Sequence, residues 1–378
     1  MSASPVERID TDPSEDEAKP GTAVCLSGGG YRAMLFHVGA LWRLYDAGKL
    51  RNVDRISSVS GGSITAGVLA LAWSRLSFDP ARAATEFVRE VVTPIRGLAS
   101  ETIDAEAIIL GIALPGSIAD RIVKAYDSHL FRGATLQDLP DHPRFVINAT
   151  SVQSGVLWRF AKPYMRDYRV GEVRNPLVPL ATAVAASAAF PPVLSPVELR
   201  LDPASFTPES GLDLQRPPFT KRVVLTDGGV YDNLGLETAW KRYTTILVSD
   251  GGGQMQAEEE PKSDWPRHAY RVLNVIDNQV RALRKRQVID SFKAGDRSGA
   301  YWGIRTDIAD YKLKETLPCP HDRTMVLAKT PTRLKRLSDT RQEQLINWGY
   351  AVCDAAIRKH VDSGLTVPAR FPYQTAEV

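Results

Sequence analysis

The sequence predicts a single α/β domain with a mainly parallel sheet and helical insertions. Three observations carry this expectation. Twice within the first 76 residues a short apolar strand ends in a glycine turn and runs into an apolar helix. That order requires parallel strands joined by crossover helices. Two later strands also run into glycine turns, at 227–229 and 250–253. The composition, 43% apolar and 24% charged over 378 residues, is that of a globular chain. It excludes a collagen, wholesale disorder and a multi-span membrane protein. A chain of this length buries roughly three quarters of its unfolded surface and needs no disulfide or metal to hold a core.

The elements follow in order. Residues 1–20 are acidic and poor in large apolar side chains, so they read as a disordered tail. TAVCLS (22–27) is a strand ending in Gly28-Gly29-Gly30. Leu35, Val38, Leu41, Leu44 and Tyr45 recur at helical spacing over 32–48. VDRISSVS (53–60) is a second strand, and GSITAGVLALAWSRL (62–76) a small-residue helix. Residues 80–130 are helical in pattern. RFVINATSV (144–152) and VLWRFA (156–161) form a strand pair around Gly155. An Ala-rich helix over 178–190 stops at Pro191-Pro192. RVVLT (222–226) and TTILVS (244–249) are strands, about 266–292 is a long amphipathic helix, and about 339–362 is the last helix. Residues 366–378 read as a tail, and no repeat or long linker divides 21–365.

The formal net charge is +3; the first twenty residues hold six acids and two bases, so the remainder carries +7. That modest excess suits an anionic lipid surface or a nucleotide and does not make a nucleic-acid stripe. Cys25, Cys319 and Cys353 are far apart, with no C-x-x-C, so neither a disulfide framework nor a zinc site is expected. The acidic N-terminus has no apolar core for a signal peptide. The apolar run AIILGIAL (107–114) is too short to span a bilayer. A cytoplasmic protein, free or peripheral on a membrane, is expected.

In an open parallel sheet, ligands bind beyond the carboxyl ends of the strands. Ser60, in Ser58-Val59-Ser60-Gly61-Gly62, sits where a nucleophile elbow would, on a sharp strand-to-helix turn with tiny neighbours. The bland reading is a helix N-cap, for which Ser is common. Gly28-Gly29-Gly30 can converge backbone N–H groups on an anion, as an oxyanion hole needs. It also fits part of a dinucleotide fingerprint, but that wants an acid at the end of the second strand, and Asp54 lies at its start. Asp227 and Asp250, each followed by glycines, are rival bases. A carboxylate is a weak base in water and a better one in a dry pocket. None of the histidines at 37, 129, 142, 268, 321 and 360 follows a strand in a glycine turn.

VCLSGGGYRAMLFHVGALWRL, then ISSVSGGSITAGVLA, then VVLTDGGVYDNLGLE resembles the patatin-like phospholipases in motif and order over about 22–240. FVINATSVQSG and ASAAFPPVLSP are weaker echoes. The resemblance implies a three-layer α/β/α fold, a Ser–Asp dyad without histidine, and hydrolysis of lipid acyl esters without metal or cofactor. By position it implies Ser60 as nucleophile, Asp227 as general base and Gly28, Gly29 and Gly30 as the oxyanion loop. Arg32, Gly61, Gly62, Gly228 and Gly229 stand in support. Ser58 and Ala33 each replace a family glycine with a small residue. Asp232-Asn233 after the Asp-Gly-Gly favours Asp227 over Asp250. The implied partner is a lipid or membrane-surface substrate, with no nucleic acid.

Other readings compete: an α/β-hydrolase triad of Ser60, Asp227 and His268 or His321, a non-catalytic protein on the same fold, or an effector awaiting a trigger. For membrane contact, Ile108, Ile109, Leu110, Ile112 and Leu114 form the first candidate, with Arg96, Arg121 and Lys124 beside them. The helix at 267–287 is the second. Its stripe of Leu273, Ile276, Val280 and Leu283 has ordinary core spacing, so packing is expected there, with Arg281, Arg284, Lys285 and Arg286 near its end.

Overall fold

A computed structural model describes residues 18–78, 85–103, 118–192 and 194–378. The expected tail over 1–17 and the apolar cluster from Ile108 to Leu114 lie outside the described residues. The strands are β1 (Lys19–Leu26), β2 (Arg55–Ser58), β3 (Arg144–Ser151), β4 (Leu157–Ala161), β5 (Tyr164–Asp167), β6 (Gly171–Arg174), β7 (Val197–Arg200), β8 (Arg222–Asp227), β9 (Tyr243–Asp250) and β10 (Ser298–Gly303). The helices are α1 (Gly30–Asp46), α2 (Gly61–Ala72), α3 (Thr93–Ala99), α4 (Ile118–Tyr126), α5 (Leu180–Ser187), α6 (Gly229–Asp232), α7 (Glu237–Trp240), α8 (Trp265–Ala294), α9 (His321–Ala328) and α10 (Asp339–His360).

All ten described strands join one sheet. Its parallel part runs β10-β9-β1-β2-β3. The antiparallel strands β4, β5 and β6 extend it beyond β3, and β8 and β7 add an antiparallel branch. Side chains alternate between two cores with the period of two that a strand imposes. Val24, Leu26 and Leu247 enter the larger core with α1, α2 and α10. Ala23, Cys25, Ile246 and Val248 enter a smaller one with Leu234, Leu236, Ala239 and Val288. Helices thus cover both faces, giving the three-layer α/β/α arrangement.

The last third of the chain belongs to this body. α10 lies along α1, and two glycines permit the close approach: a Cβ on Gly39 would overlap the Ile346 carbonyl, and one on Gly349 the Phe36 carbonyl. A buried ion pair, Arg43 to Asp354 at 2.8 Å, ties the two helices. Residues 366–378, expected as a tail, pack on α10. The Asn347 amide donates to the carbonyls of Tyr373 and Ala376, and Val378 is buried. The short strands β5, β6 and β7 have too few residues for a period-two pattern to stand out.

α8 departs from expectation. Ile276 and Leu283 of its supposed core stripe are exposed, while its buried positions are Arg281, Val288 and Ser291. Among the described residues no helix is long and apolar enough to cross a membrane.

Candidate active site

Strand pairing brings Ser60 and Asp227 together. β2 pairs with the first half of β3, ending with Ser58 opposite Ile147. β8 runs antiparallel to the second half of β3, with Asp227 opposite Ala149. β4 occupies the other edge of β3. The carboxyl ends of β2 and β8 therefore meet head to head, two residues apart along β3, about 7 Å at strand rise. The expectation was a set of glycine turns at one end of parallel strands; Asp227 arrives from an antiparallel one. Gly228 makes the junction possible, because a Cβ there would strike the Asn148 carbonyl and Val59.

Ser60 has φ 52° and ψ −123°, a conformation that non-glycine residues rarely adopt. No side-chain cap bond is made by Ser60 to α2, so the N-cap reading loses its main support. The turn is held by a buried serine chain. The Ser60 N–H donates to the Ser187 hydroxyl (3.0 Å), which bonds the Ser63 hydroxyl (2.9 Å). Ser63 donates to Ser58 (3.0 Å) and Ser58 to the Val146 carbonyl (3.3 Å). Ser58, the departure from the family glycine, is thus a bonded member of the support. Gly62 fits because its Cβ would press on the Leu26 and Ser27 carbonyls.

Ser60 and Asp227 line one cavity, with the Ser60 hydroxyl close enough to act on the Asp227 carboxyl, and the Gly229 N–H donates to Asp227 Oδ1 at 2.7 Å. Burial pushes the Asp227 carboxyl up to about 7; the Gly229 bond and the nearby Ser60 hydroxyl oppose the shift and Asp277 adds to it. The unfolded value is about 3.9. The folded chain therefore binds this proton more tightly, a contribution present at low pH and lost as pH rises from about 4 through about 7. Asp227→Asn, which cannot ionise, is expected to melt above wild type at about pH 8 and much less so at about pH 5. Melting curves at both values check this; an equal difference at both would refute the raised carboxyl.

The glycine loop packs against the elbow. Gly29 (φ 140°) and Gly30 (φ 58°) occupy left-handed backbone regions. Their N–H groups, and that of Gly61, meet no acceptor among the described residues. Gly28 differs. Its N–H donates to the backbone oxygen of Asn233 (3.0 Å) and to its Oδ1 (3.1 Å). Asn233 in turn donates to both carboxylate oxygens of Asp277 on α8, at 3.0 and 3.3 Å. Burial raises the Asp277 carboxyl, against Arg281 and Asn233. Composition and spacing gave no sign of Asp277, since only the fold brings α8 over the loop.

Two buried cationic or titratable groups brace the loop from behind. Arg32 donates to the carbonyls of Gly251 and Thr330, and burial lowers it to about 10. His37 bridges the Ser249 hydroxyl (2.8 Å) and the Ser27 carbonyl (2.9 Å), and burial lowers it to about 4. Ala33 is accommodated because Gly251 faces it without a side chain.

Asp250 has other work. It accepts from the Tyr301 hydroxyl (2.7 Å) and the Gly252 N–H (2.9 Å). Burial alone would raise its carboxyl, but Arg281, Tyr301 and Gly252 outweigh that and hold it below the ordinary value. It lines a separate cavity with Lys285, Arg305 and His321. Among the described residues, neither His268 nor His321 lines the cavities that contain Ser60. No described cluster of His, Cys, Asp or Glu could hold a metal.

Ser60 lies where two cavities meet. One, of about 380 Å³, holds Asp227, Arg271, Asn274, Asp277 and Asn278. The other, of about 420 Å³, is walled by Ala188, Pro191, Pro192, Leu194 and Leu334. Phe190 and Tyr270, edge to face at 6.5 Å, line both.

A search of curated proteins finds no match. Among solved structures, human GIVD cytosolic phospholipase A2 is similar at 13% identity over 89% of this chain and 57% of its own, with TM-score 0.46. Another structure of that protein gives 14% identity over 62% and 46%, with TM-score 0.38. VipD from Legionella pneumophila gives 15% identity over 92% and 68%, with TM-score 0.36. The chain spans less than two thirds of the human protein's length. The model of the patatin-like phospholipases matches residues 24–240, more than half of the sequence, and the chain belongs to that family.

Proposed function

We propose that this family member cleaves fatty-acyl esters of lipids, as a phospholipase A or lysophospholipase, with Ser60 as nucleophile and Asp227 as general base. The observation that carries the reading is Ser60, in a strained strand-to-helix turn, sharing a cavity with the buried Asp227 carboxyl where an apolar and a polar cavity meet. An amphiphile suits that junction. Its acyl chain fills the proline- and leucine-lined side, and its polar remainder faces Asn274, Asn278 and Arg271.

As Ser60 Oγ attacks the ester carbonyl, its proton passes to Asp227. Negative charge on the former carbonyl oxygen is met by the N–H groups of Gly29, Gly30 and Gly61. The Gly28 N–H is already donated to Asn233 and holds the loop in place rather than meeting the oxyanion. When the tetrahedral intermediate collapses, Asp227 returns the proton to the leaving alcohol. Asp227 then takes a proton from a water that attacks the acyl-serine, the acyl–Oγ bond breaks as Asp227 returns that proton to Ser60 Oγ, and the fatty acid leaves. The reading places this work at a lipid surface in the cytoplasm, in keeping with three buried free thiols.

The test is an alkyl fluorophosphonate. It should label Ser60 alone, located by peptide mass spectrometry, and block release of fatty acid from phospholipid vesicles. Absence of labelling, or labelling with no acid released from any glycerophospholipid or lysophospholipid offered, would overturn the proposal.

A further inference from the structure

α8 is amphipathic the wrong way round for a helix folded onto its own domain. At 3.6 residues per turn, Trp265, Val272, Ile276 and Leu283 fall within about 40° of one another. All four are exposed, at 83%, 43%, 54% and 58%. The opposite side carries Tyr270, Asn274, Asp277 and Arg281, which line the polar cavity at Ser60. A surface helix ordinarily turns its apolar stripe to the core and its polar face to water. Here the polar face meets the candidate active site and the apolar stripe meets solvent.

We propose that this outer face of α8 docks on an anionic lipid bilayer and so presents the Ser60 cavity to the membrane; the proposal rests on the lipid-hydrolase reading above. Two further observations select a bilayer as the occupant. The first is charge. α8 holds seven Arg and Lys against two Asp. Arg267, Arg271 and Arg284 pair with Asp264, Glu258 and Glu237. Arg286 and Lys293, both exposed, have no carboxylate partner among the described residues. Basic residues beside an apolar stripe suit anionic head groups. A second copy of the helix would bring the same positive excess against itself. The second observation is place. Trp265, a side chain suited to the lipid–water boundary, begins the helix, and Pro266, Arg267 and Tyr270 of its first turns line the apolar cavity. The first residue of the stripe and the helix residues that line the apolar cavity share one end of α8.

The experiment is vesicle flotation of the full chain, as wild type and as Ser60→Ala, with phosphatidylcholine alone and with added phosphatidylglycerol. Both proteins should float with the anionic vesicles and less with the neutral ones, and salt should weaken binding. Val272→Ser/Ile276→Ser/Leu283→Ser should bind at least about tenfold more weakly. It should keep the melting temperature and the turnover of a soluble short-chain ester, since none of the three lines the cavities. Wild type that stays off anionic vesicles, or a triple variant that binds them equally, would overturn the proposal. So would sedimentation showing a dimer that the triple variant dissolves, because a second copy would then cover the face. Flotation of Ser60→Ala needs no catalysis. Failure of the hydrolase reading therefore shows in the ester assays, and failure of docking in the flotation.

Discussion

Ser60→Ala and Asp227→Asn are each expected to lower fatty-acid release by about 10⁴-fold or more, and the double variant to be little worse. The two side chains act as one unit, because the hydroxyl is a poor nucleophile until the carboxylate takes its proton. Burial that lifts Asp227 to about 7 makes it a stronger base than a carboxylate in water. Its cost is that activity needs the ionised form, so wild-type kcat/KM should fall as pH drops through about 7. Asp250→Asn is the discriminating control. Its carboxyl is bonded by Tyr301 and Gly252 and faced by Arg281, and it lines a cavity that does not contain Ser60, so the variant should lose stability and retain turnover within about tenfold. His268→Ala and His321→Ala should be near wild type. A nearly normal Asp227→Asn with an inactive Asp250→Asn would reverse the assignment of the base, and activity in Ser60→Ala would remove the nucleophile.

The alternation of strand, glycine turn and helix is a local property, and it was readable without the fold. The turn at Ser60 needed only its tiny neighbours, whereas the division of Val24 and Leu26 from Ala23 and Cys25 between two cores shows only in the fold. Strand direction is not local. β8 ends in Asp-Gly-Gly whether it runs parallel or antiparallel, so nothing in RVVLTDGG says that it meets β2 head to head along β3. Supports that cross the chain were hidden for the same reason. Ser187 and Ser63 are ordinary small residues until the fold sets one hydroxyl beside the other. Asp277 is an ordinary helix acid until Asn233 reaches it. α8 shows the limit of periodicity in another way. Its spacing reveals an apolar stripe but not which side of the helix the rest of the protein occupies, and here the protein took the polar side. The end of the chain misled through composition: FPYQTAEV is short and mixed, yet Asn347 holds its carbonyls.

Gly29→Val is expected to lower kcat by about 10²-fold or more with little change in KM, because it misaims N–H groups needed only when charge develops on the carbonyl oxygen. Loss of one such donor costs about 2.7–4 kcal/mol of transition-state stabilisation. The geometry explains why so small a change reaches so far. At φ 140° an L side chain is strained, and a Cβ would lie 2.9 Å from an Arg32 nitrogen, 3.0 Å from the Ala33 Cβ and 3.1 Å from the Gly251 carbonyl. Arg32 and Gly251 are themselves bonded to each other, so the neighbour cannot yield without releasing the brace behind the loop. Gly61→Ala should act from the other side, since its Cβ would run into the Gly30 carbonyl and push loop and elbow apart. Gly97→Ala, in α3 with open space around it, is the matched control and should leave turnover unchanged with a small gain in stability. Melting curves separate misaimed donors from a damaged fold, and Gly29→Ala gives a milder variant should the valine not fold. Wild-type kcat in a folded Gly29 variant would mean that the oxyanion is held elsewhere, whereas a fall in kcat with the melting temperature and KM kept would place the charge at this loop.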